Sequence, residues 1–510
     1  MTFRTIALSL LVLLPIAALP ATAQERAHQA GTSEENAGRP QTPEAPAGIL
    51  GLLPADSVTD HVLKTENGEL PYTATAGTLT LYGQNGAPSA KIFYTAYKAK
   101  DGPRDRPLTF AFNGGPGAAS AYLHMGLVGP RILDFGANGH DGTAPVLTDN
   151  PESWLAFTDL VMIDPVGTGW SRAASNDAAS SFYGVRQDAD SIAKAITLYV
   201  NQNQRLSSPK YLLGESYGGF RAMKVASALK DDQGILVSGV IMVSPLVEGQ
   251  LIFGANGFAL GAALQFPSLA AAELERRSAF SIEALQNAER FAMTDYLVAL
   301  AGPPLWGEKA ASFYARVSEL TGIPRDVVER TRGFVSDVYA KNAAKDKSQV
   351  VSPYDASFAV PDPYPEAGYD RSDDPVLDGF TRAYGAAFAS YARDELGFRT
   401  EMTYSLLSGD VNRRWDWGGS PRAQASVTDD IRDMLSTVPS FRLMITHGYS
   451  DALTPYGVSK YVVEHLPPEL AGKRVDLKVY RGGHMFYTRA DARRDMSADA
   501  RIFIEGRATD

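Results

Sequence analysis

The chain has 510 residues, 45% of them hydrophobic, 21% charged and none cysteine. Lys and Arg total 48 against 58 Asp and Glu, so the net charge is −10 and the pI about 5.3. This excludes a disordered or collagen-like chain, a disulfide scaffold, a thiolate metal site and a cysteine nucleophile. With no basic stripe, nucleic acid is not an expected partner.

Residues 1–23 read as a signal peptide. Arg4 supplies the positive start, Ile6 to Pro20 the apolar stretch, and Ala21-Thr22-Ala23 a small-residue cleavage site before Gln24. The apolar stretch is about 15 residues, short of the ~20 a spanning helix needs, so an exported protein, periplasmic or secreted, is expected, with no stable membrane anchor. Residues 24–55 are rich in Ala, Pro, Glu, Gln and Gly and read as a flexible leader, with structure starting near Asp56. Thr78 to Tyr82 and Lys91 to Tyr97 alternate around Gln84-Asn85-Gly86 and predict an antiparallel hairpin. Short apolar runs follow at Leu108–Phe112, Leu160–Ile163, Tyr211–Leu213, Val237–Val243, Arg442–Thr446 and Val475–Val479. Helical stretches such as Gly184–Asn201 and Phe220–Leu229 separate some of them. This alternation predicts an α/β fold whose mixed, mostly parallel sheet has helices on both faces. The strand rhythm stops between Glu248 and Ser436, where Ser268–Phe280 and Ser281–Leu300 carry helical spacing and Pro361–Pro375 is loop-like. The expected division is a sheet domain of residues 56–247 and 436–510, with residues 248–435 as a mainly helical cap insertion.

Chemistry concentrates at the ends of the predicted strands. Gly214-Glu-Ser-Tyr-Gly218 follows a strand and precedes a helix. A serine nucleophile must project from such a tight turn, and flanking glycines keep it free of clashes. The serine needs a base, and the base an orienting acid. His484, in Arg481-Gly-Gly-His-Met485, and Asp451, in His447-Gly-Tyr-Ser-Asp451, both follow strands and complete the chain order Ser216, Asp451, His484. His447, at the end of its strand, reads as structural, and His465 as a helix C-cap residue. Phe112-Asn-Gly-Gly-Pro-Gly117 brings backbone N–H groups toward the serine, as an oxyanion site requires. Asp164-Pro-Val-Gly-Thr-Gly-Trp-Ser171 lacks the full glycine fingerprint of a dinucleotide loop. Arg413-Arg-Trp-Asp-Trp417 reads either as a pocket rim or as buried tryptophan packing.

Asn113-Gly-Gly-Pro-Gly117, the block from Asn150 to Ser171, Glu215-Ser-Tyr-Gly218, Asp451 and Gly483-His-Met485 together resemble the serine carboxypeptidase family, peptidase S10. The resemblance implies an α/β-hydrolase fold with a helical insertion, acting on peptides with a free C-terminus and needing no metal or organic cofactor. It implies Ser216 as nucleophile, His484 as base and Asp451 as orienting acid, with the Gly115 and Tyr217 N–H groups as the oxyanion hole. It implies Asn113, Gly114 and Glu215 as the site for the substrate carboxylate, and Met485 beside the substrate pocket. The chain departs from the family pattern at Ala111, usually Trp, and at Leu127, usually a second Glu. Leu127 leaves Glu215 without the usual carboxylate partner, and an apolar neighbour would keep Glu215 protonated. An esterase or acyltransferase using the same Ser-His-Asp site is the alternative expectation, and a catalytically silent binding protein a third.

Overall fold

The computed structural model describes residues 48–65, 68–136 and 139–506; the segment read as a signal peptide and most of that read as a leader lie outside the described residues. Its centre is a ten-stranded sheet. In chain order its principal strands are β1 (Ser57–Thr65), β2 (Gly68–Tyr82), β3 (Pro88–Ala99), β4 (Leu108–Phe112), β5 (Asp159–Ile163), β6 (Lys210–Glu215), β7 (Gly239–Val243), β8 (Arg442–Gly448) and β9 (Val475–Tyr480). They lie side by side in the order β1-β2-β3-β5-β4-β6-β7-β8-β9, and the short strand Arg172–Ala173 pairs with β3. The pairs from β1 through β3 to β5 are antiparallel; those from β5 to β9 are parallel. This is the mixed, mostly parallel α/β-hydrolase sheet expected from the sequence.

The inner parallel strands β4, β5, β6 and β7 are fully buried because both faces are covered, whereas the edge strand β9 is only partly buried. Their side chains alternate between two cores, as strand geometry requires. Phe110, Leu212, Val240 and Leu443 enter one core with helices α1 (Val185–Gln202) and α2 (Tyr217–Gln233). Ala111, Leu213, Ile241 and Met444 enter the other, with Phe503 of the C-terminal helix Ala490–Glu505.

Two features differ from the sequence expectation. Packed structure begins before Asp56: Ile49–Leu52 forms a 3-10 turn, Leu50 and Leu53 are buried, and the Thr400 hydroxyl donates to the Leu52 carbonyl at 3.0 Å. Leu50 and Leu53 have core to enter, while Ile49 and Leu52 remain exposed. Strand β1 was not legible, because as an edge strand it buries little and carries Asp60, His61 and Lys64, the polar composition that protects a sheet edge.

Residues 248–435 divide three ways. The helices from Ala259–Arg276 to Ser336–Asn342 surround their own core of Phe266, Leu269, Tyr296, Phe313 and Val317. Phe380, Tyr384, Phe388 and Tyr391 pack into one sheet-face core, while Ile431 and Met434 of helix Thr428–Thr437 pack into the other. A small antiparallel strand pair, Gln349–Val351 with Ala359–Pro361, stands within this otherwise helical stretch. Among the described residues, no helix is long and apolar enough to cross a membrane.

Candidate active site

Ser216 sits between β6 and α2 with φ 62° and ψ −125°, a backbone conformation that costs a non-glycine residue about 1–3 kcal/mol. Its N–H donates to the Val243 carbonyl at 2.8 Å, which holds the turn against the neighbouring strand. Gly218 is required for space: a Cβ there would stand 2.6 Å from the Phe112 carbonyl oxygen. At Gly114 a Cβ would come 2.6 Å from the backbone nitrogens of Tyr217 and Gly218. The Asn113–Gly115 loop therefore lies directly on the N-terminus of α2, whose dipole favours negative charge. Gly115 and the Tyr217 N–H stand in this neighbourhood.

Asp451 and His484 meet there. The His484 Nδ1 lies 2.9 Å from Asp451 Oδ2, and both side chains are buried. Asp451 also accepts the N–H groups of Leu453 and Thr454 through Oδ1, each at 2.9 Å, and the Thr454 hydroxyl through Oδ2 at 2.8 Å. Burial disfavours the imidazolium of His484, but Asp451 beside Nδ1 outweighs it and raises the His484 pKa above its ordinary value. An imidazole held by a buried carboxylate can act as a general base toward a hydroxyl. Ser216, His484, Asn113, Gly115, Glu215 and Met485 all line one cavity of about 410 Å³.

Glu215 is buried on the wall of this cavity, and its Oε2 accepts from Asn113 Nδ2 at 2.9 Å and from the Tyr487 hydroxyl at 2.5 Å. Burial raises its pKa to about 6, against the lowering influence of His484, Tyr487 and Asn113. Leu127 is fully buried in the sheet-face core. Glu215 therefore has a phenol donor as its neighbour. Tyr487 was not legible in the sequence, since nothing marks one tyrosine among 23; its place in the short turn after His484 is the signal that could have found it.

Other supports also escaped sequence reading. Arg221 of α2, fully buried, pairs with Asp188 of α1 at 2.6 Å and donates to the Asn113 carbonyl, tying the glycine loop to both helices. Tyr354 packs edge-on against His484 with ring centroids 5.1 Å apart. His447 is buried with its Nε2 2.8 Å from the Ser459 hydroxyl, and burial pushes its pKa down to about 4 although Asp451 nearby favours its charged form. His465 caps its helix, with Nδ1 2.7 Å from the Tyr461 carbonyl. Trp415 and Trp417 stand edge-on to the Tyr217 ring at 5.3 and 5.5 Å, packing behind the site. Among the described residues, no cluster of three or more His, Asp or Glu side chains could hold a metal ion.

Residues 68–248 match the family model for serine carboxypeptidase, Peptidase_S10. Among curated proteins, the chain is 26% identical over 185 residues to "Serine carboxypeptidase-like 13" of Arabidopsis thaliana, covering 36% of this chain and 41% of that one. It is 30% identical over 147 residues to "Serine carboxypeptidase-like 31" of the same plant, covering 28% of each. The matched segments thus span less than half of these relatives. Among solved structures, Kex1(delta)p, a prohormone-processing carboxypeptidase from Saccharomyces cerevisiae, superposes with a TM-score of 0.53 at 16% identity, over 86% of this chain and 91% of that one. That likeness is one of fold. Residues 68–248 are thus similar in sequence to serine carboxypeptidases, and the chain shares the fold of one.

Proposed function

We propose that the protein is an exported serine carboxypeptidase releasing C-terminal residues from peptides, with the sheet domain carrying the chemistry and residues 248–435 covering it. The observation that carries this is His484, paired at 2.9 Å with the buried Asp451 and lining one cavity with Ser216. Ser216 Oγ attacks the scissile carbonyl as His484 takes its proton. Asp451 holds the imidazole tautomer and stabilises the imidazolium. The N–H groups of Gly115 and Tyr217 receive the oxyanion, and His484 then passes the proton to the leaving amine. Water, deprotonated by His484, attacks the acyl-enzyme carbonyl; the ester bond to Ser216 breaks and the serine regains its proton.

Asn113, Gly114 and a protonated Glu215 take the substrate's terminal carboxylate, and Met485 borders the pocket. The Glu215 pKa of about 6 supports this, because the neutral acid that donates to a carboxylate is then present at mildly acid pH. The test is turnover of an N-blocked dipeptide with a free or an amidated C-terminus, from acid to neutral pH, with Ser216→Ala as control. Preference for the free acid, lost in the variant, is the expected result. Equal or better cleavage of the amide, or of simple esters alone, would overturn it in favour of an esterase or acyltransferase. Leu127, and the Tyr487 hydroxyl beside Glu215, are the observations that favour that second reading.

A further inference from the structure

The cavity holding Ser216 has a second charged wall that the proposed chemistry does not use. Arg422 lines it, on a 3-10 turn (Arg422–Gln424) within the insertion. Its guanidinium carbon lies 4.5 Å from the Phe253 ring centroid and 5.7 Å from that of Trp417. Such stacking holds the planar fork in place while leaving its N–H edge free. The turn is itself anchored: the Gly249 N–H donates to the Ala425 carbonyl at 2.7 Å, and the Ser426 hydroxyl to Glu248 at 2.7 Å. Among the described residues, no carboxylate lies within ion-pair distance of Arg422 and its side chain donates no hydrogen bond. Glu215, the carboxylate on the same cavity, is already held by Asn113 and Tyr487.

Arg422 is exposed and lines this cavity, and an arginine held by ring stacking without a carboxylate partner matches a planar carboxylate, which it can bind through two parallel N–H bonds. We infer that Arg422 is a specificity residue that binds the acidic side chain of an Asp or Glu adjoining the scissile bond of the substrate. This deepens the peptidase reading and rests on it. The terminal carboxylate is the other source of the same chemistry. The side chain is favoured because Asn113, Gly114 and Glu215, carried by β4 and β6, provide for the terminus, whereas Arg422 comes from the insertion.

The experiment uses the full chain carrying Ser216→Ala, so that binding is read without turnover. Calorimetry compares N-blocked dipeptides with Glu or Gln on either side of the scissile bond, each as free acid and as amide. The expected result is a preference for Glu over Gln of ~10-fold or more, the range for a charge-assisted pair. Arg422→Gln abolishes that preference, Arg422→Lys keeps part of it, and both variants keep the free-acid preference. An unchanged Glu-to-Gln ratio in Arg422→Gln, or no preference in the parent, overturns the inference. Loss of the free-acid preference in Arg422→Gln also overturns it, by assigning Arg422 to the terminus. Arg422→Lys separates charge from folding, since equal melting temperatures with unequal preferences exclude a general loss of structure. Failure of the peptidase reading would show elsewhere, as absent dipeptide turnover by the enzyme with Ser216 intact.

Discussion

The two walls of the cavity that holds Ser216 are built differently. On one, Asn113, Ser216 and His484, with its partner Asp451, stand just beyond the carboxyl ends of strands β4, β6, β9 and β8 of the parallel sheet, whose register sets their spacing. On the other, Leu407, Asn412 and Arg422 lie on a segment held to the sheet domain by isolated bridges, Ala118 to Leu407, Gly169 to Ser405, Gly184 to Asp416 and Glu248 to Ser426. Reaction chemistry tolerates little displacement, and it sits where backbone ladders fix position. Selectivity needs shape and charge, which a threaded segment can vary without disturbing the sheet.

Substitutions on the sheet wall should therefore act on rate, and those behind it on stability or pH response. The largest effect is expected from Ser216→Ala, which should lower kcat by roughly 10⁴-fold or more and abolish labelling by a fluorophosphonate, with a melting temperature close to the parent's. If the variant still turns over dipeptide at a comparable rate, the nucleophile lies elsewhere. Next, Arg221→Met should cost about 3–5 kcal/mol in urea unfolding, because it leaves Asp188 buried and unpaired beside the glycine loop. A much smaller loss would mean that the loop is held from the sheet alone. Thr454→Val removes a hydroxyl within 2.8 Å of Asp451 Oδ2 and 3.0 Å of His484 Nδ1. It should reduce kcat by roughly 10-fold, the worth of one buried hydrogen bond to a charged group, with KM little changed. A KM effect alone would make Thr454 part of the binding wall.

The smallest expected effect is a shift in pH dependence. Tyr487 donates to Glu215 and so favours its ionised form. Carboxylate binding needs the protonated acid, so kcat/KM for free-acid substrates should fall as pH rises through about 6. Removing the donor in Tyr487→Phe should raise the Glu215 pKa and carry that falling limb upward by up to ~1 pH unit, since one unit corresponds to about 1.4 kcal/mol. Amide substrates should lack the limb in both proteins. A limb that stays in place, or moves down, would assign it to another group.

Much of the sheet wall was legible in the sequence because each of its parts is local. Gly214 and Gly218 mark a turn that excludes side chains, and Asp451 and His484 follow apolar strands in an order a hydrolase sheet can use. The paired strands themselves announced the fold, since burial on both faces makes them uniformly apolar. Strand β1 escaped because an edge strand with a solvated face loses that signal. Tyr487, Arg221 and Thr454 escaped for another reason: each acts through a partner at least tens of residues away or through a hydroxyl of an abundant residue type, and no period or spacing encodes that.

By itself, then, the sequence determined the strand-and-turn frame and the chain order of the proposed nucleophile, acid and base, all short-range consequences of steric demand and apolar burial. Only the tertiary structure decided which tyrosine reaches Glu215, which arginine ties down Asn113, and that Arg422 faces the cavity unpaired. Those outcomes depend on how side chains remote in sequence share one low-dielectric space, where a partner's position sets both its charge and its use.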